Sequence, residues 1–85
     1  MSEAVETAIF ALLAEVAPGK SISPEAVART VEPERWQRVL GHVRAVARGL
    51  ARDGRVVILR HNKPADPEDF KGVYRLRLPA AGDSA

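Results

Sequence analysis

Three stretches of helical periodicity, then two of strand alternation on either side of a Pro- and Gly-containing loop, predict an α+β fold of the winged helix-turn-helix type. Three helices are followed by a two-stranded antiparallel wing hairpin. The charge distribution points the same way. Residues 1–34 carry two basic side chains against six acidic ones, whereas residues 35–78 carry eleven basic against four acidic, so a net charge of +2 conceals a sign reversal near Arg35. In a winged helix the third helix and the wing are the parts that meet DNA, and here they hold the positive charge.

With 85 residues the chain makes one domain with a single small core, assigned to residues 1–79, and residues 80–85 are expected to form a disordered tail. An apolar fraction of 46% and a charged fraction of 28% are globular values, so the rest of the chain is expected to fold. The absence of cysteine excludes disulfides, thiolate metal sites and a cysteine nucleophile. Glu3 and Glu6 stand where a signal peptide needs basic residues, and no apolar run reaches the ~18 residues of a membrane span. The expectation is a cytoplasmic protein that does not enter a membrane.

The first helix is predicted over residues 3–16, with Val5, Ile9, Leu12, Leu13 and Val16 on one face and Pro18-Gly19 as its stop. Ile22 has room to add one residue pair to the edge of a small sheet. Ser23-Pro24-Glu25, Glu32-Pro33-Glu34 and Asp66-Pro67-Glu68 each read as the start of a helical turn, because proline at the first position lacks an N–H that would have no partner anyway. Glutamate there also suits the positive end of the peptide dipoles. The second helix is predicted over 24–31, burying Val27 and Val31. The third is predicted over 33–53, with Trp36, Leu40, Val43, Ala47 and Leu50 toward the core and Gly54 ending it. Residues 56–60 and 73–78 read as strands, and residues 61–72 as a long wing loop whose turn at 66–70 is capped by Asp66 and held off the DNA.

On a 100° wheel the face of the third helix opposite its core stripe holds Gln37, Arg38, Gly41, Arg44, Ala45, Arg48 and Arg52. Gly41 and Ala45 let a helix backbone approach a surface closely, while the planar fork of arginine grips phosphate or pairs with a guanine edge. Arg60 and Lys63 on the wing suit phosphate contacts. So do Ser21 and Ser23 with the N-terminus of the second helix. The expected function is therefore duplex DNA binding, as a small transcriptional regulator with helix 33–53 in the major groove. The alternative is a winged-helix protein-interaction module whose basic stripe meets an acidic partner.

Strand 56–60 is apolar on both faces, so Val57 and Leu59 are expected to face outward beside Val73, while Phe10 and Ala14 lie off the main stripe of the first helix. These residues are either covered by neighbouring elements or form a homodimer or partner interface. His42 and His61 fall on different elements with no carboxylate at ligand spacing, and no nucleophile elbow, phosphate loop or dinucleotide fingerprint occurs. The expectation is a non-enzyme with no cofactor, no metal and no small-molecule substrate.

From Gly19 onward, Gly19-Lys20-Ser21-Ile22-Ser23-Pro24, Val27-Ala28-Arg29, Trp36, Val43-Arg44-Ala45-Val46-Ala47, Gly54-Arg55-Val56, Asp66-Pro67 and Gly72-Val73-Tyr74-Arg75-Leu76 are similar to a bacterial family of short winged-helix proteins catalogued only as a domain of unknown function. Ala26 departs from it where a glutamate would complete a capping box, as do Val57 and Leu59 where polar strand residues are usual. The resemblance implies the winged-helix fold and no activity.

Overall fold

The computed structural model describes residues 2–80 and is an α+β arrangement of three helices and a small antiparallel sheet. The order is α1 (Ser2–Glu15), β1 (Ser21–Ile22), α2 (Pro24–Val31), α3 (Trp36–Arg52), β2 (Val57–Arg60), β3 (Lys63–Pro64) and β4 (Arg75–Arg77). Residues 81–85 of the expected tail lie outside the described residues. Among the described residues no helix is long and apolar enough to cross a membrane.

α1 buries Val5, Ala8, Ile9 and Leu13, the face its periodicity requires. At the start of α2 the Ser23 hydroxyl accepts the Ala26 N–H at 3.1 Å and Pro24 takes the first helical position. The cap therefore forms without the reciprocal glutamate that Ala26 replaces.

α3 begins at Trp36, three residues later than its proline signal, because Glu32 is still closing α2 by donating its N–H to the Ala28 carbonyl at 2.8 Å. One residue cannot end one helix in that conformation and cap the next, so Pro33 falls in the bend between them. Its stop is as expected. Gly54 adopts φ +74°, its N–H reaches the Ala51 carbonyl at 3.0 Å, and Arg55 reaches the Leu50 carbonyl at 2.9 Å, the paired bonds of a Schellman ending. The buried stripe of α3 is Val39, Val43, Ala47 and Leu50, rotated from the expected one. Trp36 and Leu40 are half-buried at its margin rather than enclosed in the core.

The sheet has the order β1-β4-β2-β3, all antiparallel. Ile22 pairs with Leu76 and Leu76 with Ile58, so a row of buried aliphatic side chains crosses the sheet and joins the helical core. The 61–72 segment departs from a long open loop. His61 and Asn62 both take left-handed φ (53° and 65°), and the two-residue turn they form places Lys63 opposite Arg60 and Pro64 opposite Leu59. This is the φ pattern of a type I′ hairpin, whose twist matches that of the strands; His-Asn is a weaker signal for it than Asn-Gly. Beyond it, residues 66–70 form an elbow, in which Asp66 accepts the Glu68 N–H on its side chain at 2.9 Å and the Asp69 N–H on its carbonyl at 3.0 Å.

Candidate functional site

The outer face of α3 divides at its middle. Gln37, Arg38, Gly41 and Ala45 are exposed, and they keep the expected surface of small residues flanked by polar ones. Arg44, Arg48 and Arg52 are engaged by the elbow, which lies across this face instead of standing away from it. Arg44 donates to the Phe70 carbonyl, and its guanidinium stacks 4.1 Å from the Phe70 ring and 5.3 Å from that of Tyr74. Arg48 sits 5.9 Å from the Phe70 ring, with its Nε enclosed and unpartnered among the described residues. Arg52 forks onto Glu68, Nη2 to Oε2 at 2.6 Å with Nε on Oε1. The Arg52 hydrogen bond holds the Glu68 carboxyl below its ordinary range and, in return, raises Arg52.

The physical cause is Phe70. An aromatic ring on an exposed turn has to be covered, and the nearest flat apolar-compatible groups are the guanidinium planes on α3. Phe70 is only 5% exposed and meets Tyr74 edge-on with centroids 5.1 Å apart. Burial pushes the Tyr74 hydroxyl up to about 12, with the Arg44 charge opposing. That hydroxyl has no hydrogen-bond partner among the described residues.

On the sheet side, Arg60 does not project outward. Its Nη1 donates to the Val73 carbonyl at 2.7 Å and crosses Gly72 so closely that a Cβ there would lie 2.7 Å from it. Arg75 donates from Nε to the Ser21 hydroxyl at 2.6 Å and from Nη2 to the Ser21 carbonyl at 3.0 Å, which joins two residues that sequence reasoning had placed on separate elements. Lys63 is exposed at the hairpin.

These elements enclose a groove of about 480 Å³ between the N-terminus of α2, the outer side of α3 and the segment leading into β4. Trp36, Leu40, Val73 and Tyr74 give it apolar walls, while Ser23, Gly41, Arg44 and Arg75 also line it. Its charge is uneven. Glu25 is paired with Arg29 at 2.7 Å, and Arg29 in turn stacks 4.6 Å from the Trp36 ring. Arg44 and Arg75 hydrogen-bond only neutral oxygens, so among the described residues neither guanidinium has a carboxylate partner.

Sequence reasoning found Ser23, Gly41 and Arg44 but missed Trp36 and Leu40 as walls, because their periodicity assigned them to the core, and Tyr74, a core residue that also lines the groove. Of the interface residues, Leu59 is buried at 8% exposure and does not face outward, and Val57 is half-buried. Phe10 is half-covered by Arg55 at 4.8 Å from its ring, whereas Ala14 and Val73 are exposed, Val73 at 84%. His42 meets Ser2 at 3.1 Å, far from His61, and among the described residues no group of three His, Cys, Asp or Glu side chains is placed to hold a metal.

A three-helix α+β domain with its last strand inside a small antiparallel sheet is the class that fold and groove define. Residues 2–79 match the family described as "Protein of unknown function (DUF3253)", and the chain belongs to that family. No curated protein matches it.

Proposed function

We propose that the chain is a winged helix-turn-helix protein that binds duplex DNA, with the N-terminal half of α3 in the major groove and a backbone phosphate at the mouth of the groove beside it. The observation that carries this reading is the pair of guanidiniums, Arg44 and Arg75, which among the described residues have no carboxylate partner and line one groove with the bare helix surface at Gly41. The element order, and a sheet in which β4 lies between β1 and β2, support the winged-helix assignment. Gln37 and Arg38 are the base-reading candidates, Ala45 permits close approach, and Ser21, Ser23 and Lys63 are secondary phosphate contacts. Arg52 leaves the proposed contact set because its guanidinium is paired with the Glu68 carboxylate; Arg60, which donates to the Val73 carbonyl and does not line the groove, is a secondary phosphate candidate, and Arg48 contributes only if the elbow moves.

Anisotropy of a labelled mixed-sequence duplex at low salt tests this. With about three phosphates neutralised, log K should fall with log salt at a slope of about −3. Arg38→Glu combined with Arg75→Glu should abolish binding, while Arg52→Gln leaves it close to the parent value. No binding, or binding that survives the double reversal, discards the DNA reading. The second reading, a protein-interaction module for an acidic partner, is supported by the apolar walls between the same two charges.

A further inference from the structure

We propose that the groove between α2, α3 and β4 is a binding site for a small amphipathic anion, an aromatic or alkyl carboxylate. A phosphate at the mouth would engage the guanidiniums and leave the walls bare, since phosphate oxygens gain nothing from an indole or an aliphatic side chain. Trp36, Leu40, Val73 and Tyr74 require an apolar body. Arg44 and Arg75 supply positive charge suited to an anion, because among the described residues the one carboxylate lining the groove, Glu25, is paired with Arg29 and both guanidiniums bond only neutral oxygens. The volume of about 480 Å³ lies within the range of roughly 300–1,000 Å³ typical of small-ligand pockets. A peptide or duplex is longer than this hollow and is not needed to fill it.

Gly41 is the opening on the α3 side. A Cβ built there meets nothing within 4 Å, so the helix surface gives way to the hollow at this point. The site stands on the groove alone and needs no nucleic acid. Where the DNA reading also holds, the ligand carboxylate would take the place of the phosphate, and the ligand would antagonise duplex binding.

Trp36 is the single tryptophan and lines the groove, so its emission reports occupancy directly. The probes are 4-phenylbutyrate and its uncharged counterpart 4-phenylbutanol, titrated into the full chain without DNA. The acid should bind about tenfold more tightly than the alcohol, the difference expected of a charge-assisted hydrogen bond. Arg75→Gln should remove that preference with little effect on the alcohol. Gly41→Leu, which fills the opening without a clash at Cβ, should weaken both, and it serves as the second variant should Arg75→Gln fail to fold. Equal affinity for acid and alcohol, absence of any response up to about 10 mM, or an unchanged response in both variants would overturn the proposal. Release of bound duplex by 4-phenylbutyrate then measures the antagonism separately, and a protein that binds the acid but no duplex would overturn only the DNA reading.

Discussion

Phe70→Ala should be among the most damaging single substitutions in this domain, although Phe70 lies on a turn and not on a helix or strand. Deleting a buried phenylalanine ring costs about 3–5 kcal/mol, and a turn that can partly collapse into the space favours the lower end. The ring is 5% exposed, packs edge-on against Tyr74 at 5.1 Å and carries the Arg44 guanidinium at 4.1 Å, so its loss also removes an aromatic pair and leaves a half-buried cation without its platform. A total of about 3–4 kcal/mol is a large part of the roughly 4–13 kcal/mol available to a chain of this length. At about 4–8 °C per kcal/mol it corresponds to a fall in Tm of roughly 12–30 °C. Urea denaturation followed by circular dichroism would measure it. Arg44→Gln made in the parent and again in Phe70→Ala completes a cycle, and the two changes should couple by about 1 kcal/mol. A loss below about 1 kcal/mol for Phe70→Ala, or strict additivity with Arg44→Gln, would refute the argument that the elbow is pinned to α3 through this ring.

Tyr74 is the single tyrosine, so its absorbance titration is unambiguous; it should ionise near 12 in the folded protein instead of the ordinary 10.0. Because the folded state holds the proton more tightly, this contribution to stability is fully present below pH 10 and is lost as pH rises toward 12, by roughly 2–3 kcal/mol. Tyr74→Phe should remove that alkaline dependence at little cost at pH 7, since it deletes a buried hydroxyl that has no partner among the described residues. Two glycines should respond in opposite directions. Gly49→Ala, where a Cβ meets nothing within 4 Å on a helix, should stabilise by about 0.5–1 kcal/mol. Gly72→Ala should destabilise, because φ is +73° and the Cβ would meet Arg60 Nη1 at 2.7 Å; melting curves that reverse this order would contradict the local geometry.

Much of the architecture was legible from local chemistry. Ser23-Pro24 marked the start of α2, and Gly54 the end of α3, because capping uses groups within a few residues of one another. Ile22 pairing at the sheet edge followed from its position. The start of α3 was misplaced by three residues because Pro33 is compatible with a first turn wherever its predecessor is free to cap, and Glu32 is not free. The His61-Asn62 hairpin went unseen because non-glycine residues rarely take left-handed φ twice in succession.

The sequence by itself determined the order of the three helices and of the strands β2 and β4 after them, the reversal of charge near Arg35 and the alignment of Gln37, Arg38, Gly41, Arg44, Ala45, Arg48 and Arg52 on one side of α3. Helical periodicity dictates that alignment whatever the rest of the chain does. What only the tertiary structure decided is which of those cations remain available. Phe70 must bury its ring, and it does so on Arg44 and Arg48, while Glu68 takes Arg52, across 16 to 26 residues of chain that no local pattern spans. The same packing leaves Arg44 and Arg75 at one groove whose lining acid, Glu25, is paired with Arg29, a property of elements meeting in space and of none alone.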